Sequence, residues 1–271
     1  VTGLELLGFV ASLAMGLALG LTGGGGSILT VPILVYLFSI GTLQATTYSL
    51  VIVGVVALWG AWSAYKSGDL HLKRALAFGI PGVLGVVASR RLLLPALPNE
   101  MSLFDFTFSK DSVLLISFSI LMLLASGSMI RSALQSGASK AQDPIGKDAS
   151  TVLLTLCGLA VGLLAGFVGA GGGFLIVPAL VSIGRLDMRQ AVGTSLFVIA
   201  LQSLLGVLGD FEALAKMNLG LFAMVTTLAL LGMSFGTRFR KHLSQKKLKL
   251  GFGFFVLVMG SLILFGELRK G

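Results

Sequence analysis

The sequence predicts an all-α polytopic membrane protein built from two homologous halves arranged as inverted repeats, with about 8–10 helices, two of them short. Three observations carry that expectation. Hydrophobic residues make up 55% of the 271 residues and charged residues 11%, with a mean hydropathy of +0.98. Between Glu5 and Lys66 lie 60 residues without a single Asp, Glu, Lys, Arg or His. At roughly 20 residues per span, that run holds two or three crossings. Finally, GLTGGGGSILTVP at Gly20–Pro32 returns as GFVGAGGGFLIVP at Gly166–Pro178.

Each half opens with a long apolar helix that runs into a glycine cluster. Gly23–Gly26 and the matching Gly169, Ala170, Gly171 and Gly172 are poor helix formers, so the helix breaks there. Irregular backbone survives at membrane depth only against protein or a water-filled cavity. A short helix of about 13 residues follows each break, starting near Ser27 and Gly173; at 1.5 Å per residue it covers about 20 Å. Three further apolar segments complete each half. They are continuously apolar, whereas barrel strands alternate.

Gly16–Gly54 aligns with Gly162–Ala200 without a gap, and 15 of the 39 positions are identical. Further on, Gly85-x-x-x-Ser89-x-Arg91 aligns with Gly232-x-x-x-Gly236-x-Arg238, a small-residue spacing that lets membrane helices approach closely. The first repeat is residues 1–130, a polar linker is 131–150, and the second repeat is 151–271, together one membrane domain. If the short helices cross, 14 of the 20 Lys and Arg residues fall on one side. The positive-inside rule then favours inverted repeats, with both termini outside.

The net charge of +9 reflects basic residues at the ends of apolar runs, so no nucleic-acid partner is expected. The first apolar run lacks a basic leader segment and carries Glu5, so no cleavable signal is expected. Cys157 is the one cysteine and fits no metal spacing; His71 and His242 lie in basic loops. No hydrolase triad or metal-ligand cluster occurs, so neither an enzyme nor a cofactor is expected. No span carries an ionisable group at its centre, and no Arg or Lys is expected at the site. Trp59, Trp62, Tyr65 and Lys66 form an interfacial anchor.

The expected site is the pair of breaks. The helices after them present unpaired N–H groups and positive dipole ends, a combination that binds small anions. Thr22, Gly23, Gly24, Gly25, Gly26 and Ser27 supply one wall; Gly169, Ala170, Gly171, Gly172 and Gly173 supply the other. Gln44, Ser49, Gln190, Thr194 and Ser195 add neutral donors from the following helices.

GLTGGGGSILTVPILV with QATTYSL, and GFVGAGGGFLIVPALV with QAVGTSL, resemble the TauE/SafE sulfite exporter family over nearly the whole chain. The resemblance implies a multi-pass permease of the plasma (inner) membrane that moves sulfite, sulfonates or related small sulfur-containing anions by alternating access. An anion channel on the same site, and a non-transporting subunit of a membrane complex, stand as alternatives. The first copy reads Thr-Thr-Tyr where the second reads Val-Gly-Thr, and the Pro95–Asp111 loop has no counterpart of equal length in the second half.

Overall fold

A computed structural model describes residues 3–98, 100–103, 106–134, 147–168, 173–209, 218–239 and 245–269. Ten helical segments occur among them. The first half contributes α1 (Gly3–Thr22), α2 (Gly25–Leu37), α3 (Thr42–Lys66), α4 (Leu72–Ala96) and α5 (Lys110–Leu134). The second contributes α6 (Lys147–Val168), α7 (Gly173–Ser182), α8 (Met188–Gly206), α9 (Leu219–Phe239) and α10 (Gln245–Leu268). Five of these, α1, α3, α4, α8 and α9, are long and apolar enough to cross a bilayer by length and composition. The protein is a multi-pass, almost wholly helical membrane protein. The exception lies in the Pro95–Asp111 segment, where β1 (Glu100–Leu103) pairs antiparallel with β2 (Phe106–Ser109), Leu103 opposite Phe106.

Small residues set the packing. Close approaches pair Gly16 with Ala229 and Gly20 with Gly236, so α1 and α9 run parallel. Phe78 meets Gly158, Gly82 meets Gly162 and Val86 meets Gly166, so α4 and α6 also run parallel. By contrast α3 and α8 are antiparallel: Gly54 faces Ser203 and Leu204, Gly60 faces Leu196, and Ala64 faces Gly193. A Cβ added at Gly16 would fall 2.7 Å from the Ala229 Cα, so glycine is what permits this contact.

The short helices begin and end alike. α2 starts with Gly26 against Met15 and Leu19 and finishes with Phe38 against Gly8 and Phe9, the two rings 5.2 Å apart. It therefore runs back along α1 and returns the chain to the level of Gly8. Left-handed residues follow at matching places, Ser39 (φ 54°) and Arg185 (φ 50°). Each turn is closed by a matching bond, Ile40 N to Leu34 O at 3.0 Å and Leu186 N to Leu180 O at 3.1 Å.

The expected aromatic anchor sits at the end of α3. Trp59, Trp62 and Tyr65 are exposed, Trp62 stacks on Tyr65, and the Lys66 Nζ lies 5.0 Å over the Trp62 ring. That arrangement suits a membrane–water boundary.

Candidate functional site

The first break is tightly held. Gly23 takes φ 76°, a conformation open to glycine at little cost. The Thr22 hydroxyl accepts from the Gly25 N–H at 2.9 Å, and the Ser27 hydroxyl donates to the Gly24 carbonyl at 2.7 Å. The Ser27 N–H also donates to the Gly24 carbonyl, at 3.3 Å. The unpaired N–H groups expected from the sequence are thus partly used up, that of Gly25 by the Thr22 hydroxyl and that of Ser27 by the Gly24 carbonyl. Such side chains cap a broken helix end from within.

Across the bundle, Gly24 touches Gly173: a Cβ added at Gly173 would fall 2.7 Å from the Gly24 Cα and 2.6 Å from the Ile199 Cδ1. Ile199 stands near the middle of α8. The Ser195 hydroxyl lies 2.5 Å from the Gly23 carbonyl and 2.8 Å from that of Val192, its single proton serving both.

Placement of the expected residues is uneven. Thr22, Gly23, Gly24, Gly25, Gly26, Ser27, Ser49, Gly173, Thr194 and Ser195 are buried. Gly169, Ala170, Gly171 and Gly172 lie outside the described residues. Gln44 is exposed on the first turn of α3 and Gln190 is half-buried on the first turn of α8; a helix-start position leaves each near the surface. Thr194 is committed elsewhere, accepting from the His71 N–H at 3.0 Å and fixing the start of α4.

Two ionisable groups lie buried in the C-terminal parts of their helices. Arg90 is 3% exposed, and Glu267 is 2% exposed. Arg90 sits in a π-turn of α4, Ser89–Leu93, the kind of irregularity that marks functional sites in helices. Its Nη1 donates to the Thr47 Oγ1 at 2.8 Å. Its neighbour Ser89 packs on Gly166, just ahead of the second glycine cluster. An Arg-Arg pair followed by Leu-Leu-Leu at Arg90–Leu94 was the sequence signal, since two basic residues in an apolar helix cannot both serve one boundary. Arg91 is exposed and Arg90 is turned inward.

Other buried polar groups in the bundle have hydrogen-bonding capacity to spare. Among the described residues, the side chains of Ser49, Ser89, Gln202 and Ser203 are buried without a hydrogen-bond partner. The Gln202 amide presses on Gly82, one face of α4, some two turns from Ser89. Buried polar atoms in this state call for water or a ligand.

Sequence comparison gives the family to which this frame belongs. The family profile described as "Sulfite exporter TauE/SafE" matches residues 8–263. The chain belongs to the TauE/SafE sulfite exporter family. It is similar to a probable membrane transporter protein of Xylella fastidiosa (strain Temecula1), 32% identical over 192 residues, 68% of this chain and 66% of that protein. The match thus spans slightly under two thirds of that relative. The probable membrane transporter protein YdhB of Bacillus subtilis is 26% identical over 260 residues, 93% of this chain and 96% of its own. A probable membrane transporter protein of Methanocaldococcus jannaschii is 24% identical over 274 residues, 96% of this chain and 94% of its own. No solved structure matches the chain. The relatives it resembles are named as probable membrane transporters.

Proposed function

We propose that this TauE/SafE protein is a carrier that moves a small sulfur-containing oxyanion by alternating access between its two halves. One observation carries the reading: Arg90 is a positive charge held inside the bundle and donating to Thr47, while its neighbour Ser89 packs on Gly166. Burying an ion costs several kcal/mol, and intramembrane charges line substrate pathways more often than they serve packing. A guanidinium is a planar fork of five donors, matched to oxyanions and permanently charged. The hydroxyls of Ser49 and Ser89 and the glycine backbone around Thr22–Ser27 complete a small polar wall in this reading. Charge-assisted hydrogen bonds of about 1.5–3 kcal/mol each give micromolar-to-millimolar affinity once binding costs are met. A carrier must release its cargo, and such affinity allows release.

The two halves act as inverted repeats in this reading. α3 and α8 hold equivalent stretches of sequence yet pack antiparallel. Equivalent antiparallel helices are related by an axis across the bundle and not along it, which supports a two-fold in the membrane plane. Cysteine labelling in a Cys157→Ser background tests this: Lys66 and Arg238 should be reached from one side, Glu5 and Arg269 from the other.

The functional test is thermal stabilisation of the purified protein by sulfite, sulfate, thiosulfate, sulfoacetate, taurine and chloride, followed by flux in liposomes. The carrier reading requires anion-selective stabilisation and saturable flux accelerated by substrate on the opposite side. Stabilisation by cations or neutral solutes alone overturns it, and non-saturating flux indicates a channel.

A further inference from the structure

Gln202 is wholly buried on α8, and neither atom of its side-chain amide has a hydrogen-bond partner. An unpaired amide away from water is costly. Its place on the helix says what it faces. Ser195, Ile199 and Gln202 follow one another at spacings of four and three residues, so they lie on one stripe of α8, within an arc of about 60°. Ser195 touches the Gly23 carbonyl and Ile199 touches Gly173, so this stripe faces the two breaks. Gln202 comes next, about 4.5 Å of rise beyond Ile199, with its amide against Gly82 of α4. One turn further, Gly206 meets Val86, and Arg90 is four residues after Val86. The stripe thus runs from the breaks, past Gln202, to the end of α4 that carries Arg90.

The other half lacks this amide. Continuing the alignment of the halves two residues past Ala200 puts Val56, also wholly buried, at the place of Gln202. An apolar side chain therefore suits the frame at this position, and packing gives no reason for a glutamine.

We propose that Gln202 is a substrate-binding residue, its Nε2 donating to a small oxyanion as the anion passes between the breaks and Arg90, which rests on the carrier reading above. The chemistry suits a station in transit. A carboxamide offers two N–H donors without a charge. It therefore holds an oxyanion less firmly than a guanidinium does, so cargo can leave Arg90 without a second cation to detain it.

The experiment is a sulfite titration of the purified full chain, Gln202→Met and Gln202→Val, read by calorimetry for Kd and by Tm without ligand. Met keeps the unbranched shape and Val is the residue of the first half; neither has an amide. Both variants should raise the Kd for sulfite by about 10-fold or more. Their ligand-free Tm should stay level or rise by up to about 3 °C, since an unpaired buried amide is gone. Thr226→Val removes another buried, unpartnered side-chain oxygen, on α9, and should leave Kd within about two-fold. A Kd within about two-fold of the parent in Gln202→Met or Gln202→Val overturns the proposal, and a lower ligand-free Tm beside that unchanged Kd would make Gln202 a packing residue. Sulfite binding lost in Arg90→Thr but kept in Gln202→Met sinks this inference alone. A parent protein that binds no oxyanion sinks the carrier reading with it.

Discussion

The ends of α4 and α9 occupy matching places in the sequence, yet they have diverged in charge. α4 carries Ser89 and Arg90; the aligned positions of α9 are Gly236 and Thr237. Arg90 reaches Thr47. Thr237 donates to the Ser234 carbonyl of its own helix at 3.0 Å, as a threonine in a membrane helix commonly does. The partner position differs as well: Thr47 aligns with Gly193, which packs flat against Ala64 and Asp69. At this pair of positions the first half alone carries a charge. A site shared by two halves needs a single cation, since two close guanidinium groups would repel at low dielectric.

The largest expected effect comes from erasing that difference. Arg90→Thr gives the first half the residue of the second. It should abolish oxyanion-dependent stabilisation and reduce flux by about 100-fold, the equivalent of one or two charge-assisted bonds. Thr237→Val should leave both within about two-fold of the parent protein. Equal losses in the two variants would show that the asymmetry has no bearing on binding.

Next come the glycines at the meeting point. Gly24→Val places a side chain against the Gly173 backbone and should destabilise the protein by about 1–3 kcal/mol or more through overpacking, measured as Tm in detergent. Gly41→Ala, where nothing lies within 4 Å, is the control and should shift Tm by less than about 1 °C. Thr47→Val should weaken oxyanion binding by about 3–10-fold with flux retained, since the guanidinium remains and loses one acceptor. A titration by calorimetry reads this directly. The smallest effect is expected where the halves agree: Ser39→Gly and Arg185→Gly relieve left-handed backbone, and each should raise stability by at most about 1 kcal/mol.

Much of the frame was legible because its causes are local. Runs of glycine in apolar surroundings are poor helix formers wherever they occur, and Val-Pro lies inside each short helix that follows. The small-residue spacing at Gly85–Ser89 and Gly232–Gly236 foretold close packing, since a missing Cβ is visible in any sequence. The interfacial anchor was legible for the same reason: amphipathic rings beside a lysine suit one depth alone. The polar residues were harder. Thr194 reads as a ligand donor until His71, 123 positions away, is found to hold it. Gln44 and Gln190 look alike in sequence, but Gln44 is exposed and Gln190 half-buried.

The sequence alone therefore determined a helical membrane protein with two matching breaks, because hydropathy, glycine and proline act over a few residues. Only the tertiary structure decided which charges lie inside. Arg90 and Arg91 are indistinguishable along the chain, as are Glu267 and any other acid at a helix end. Which of them is buried depends on the helix face, a rotation of about 100° per residue, and on what packs against it. Here that is Thr47 on α3 for Arg90 and Tyr36 on α2 for Glu267.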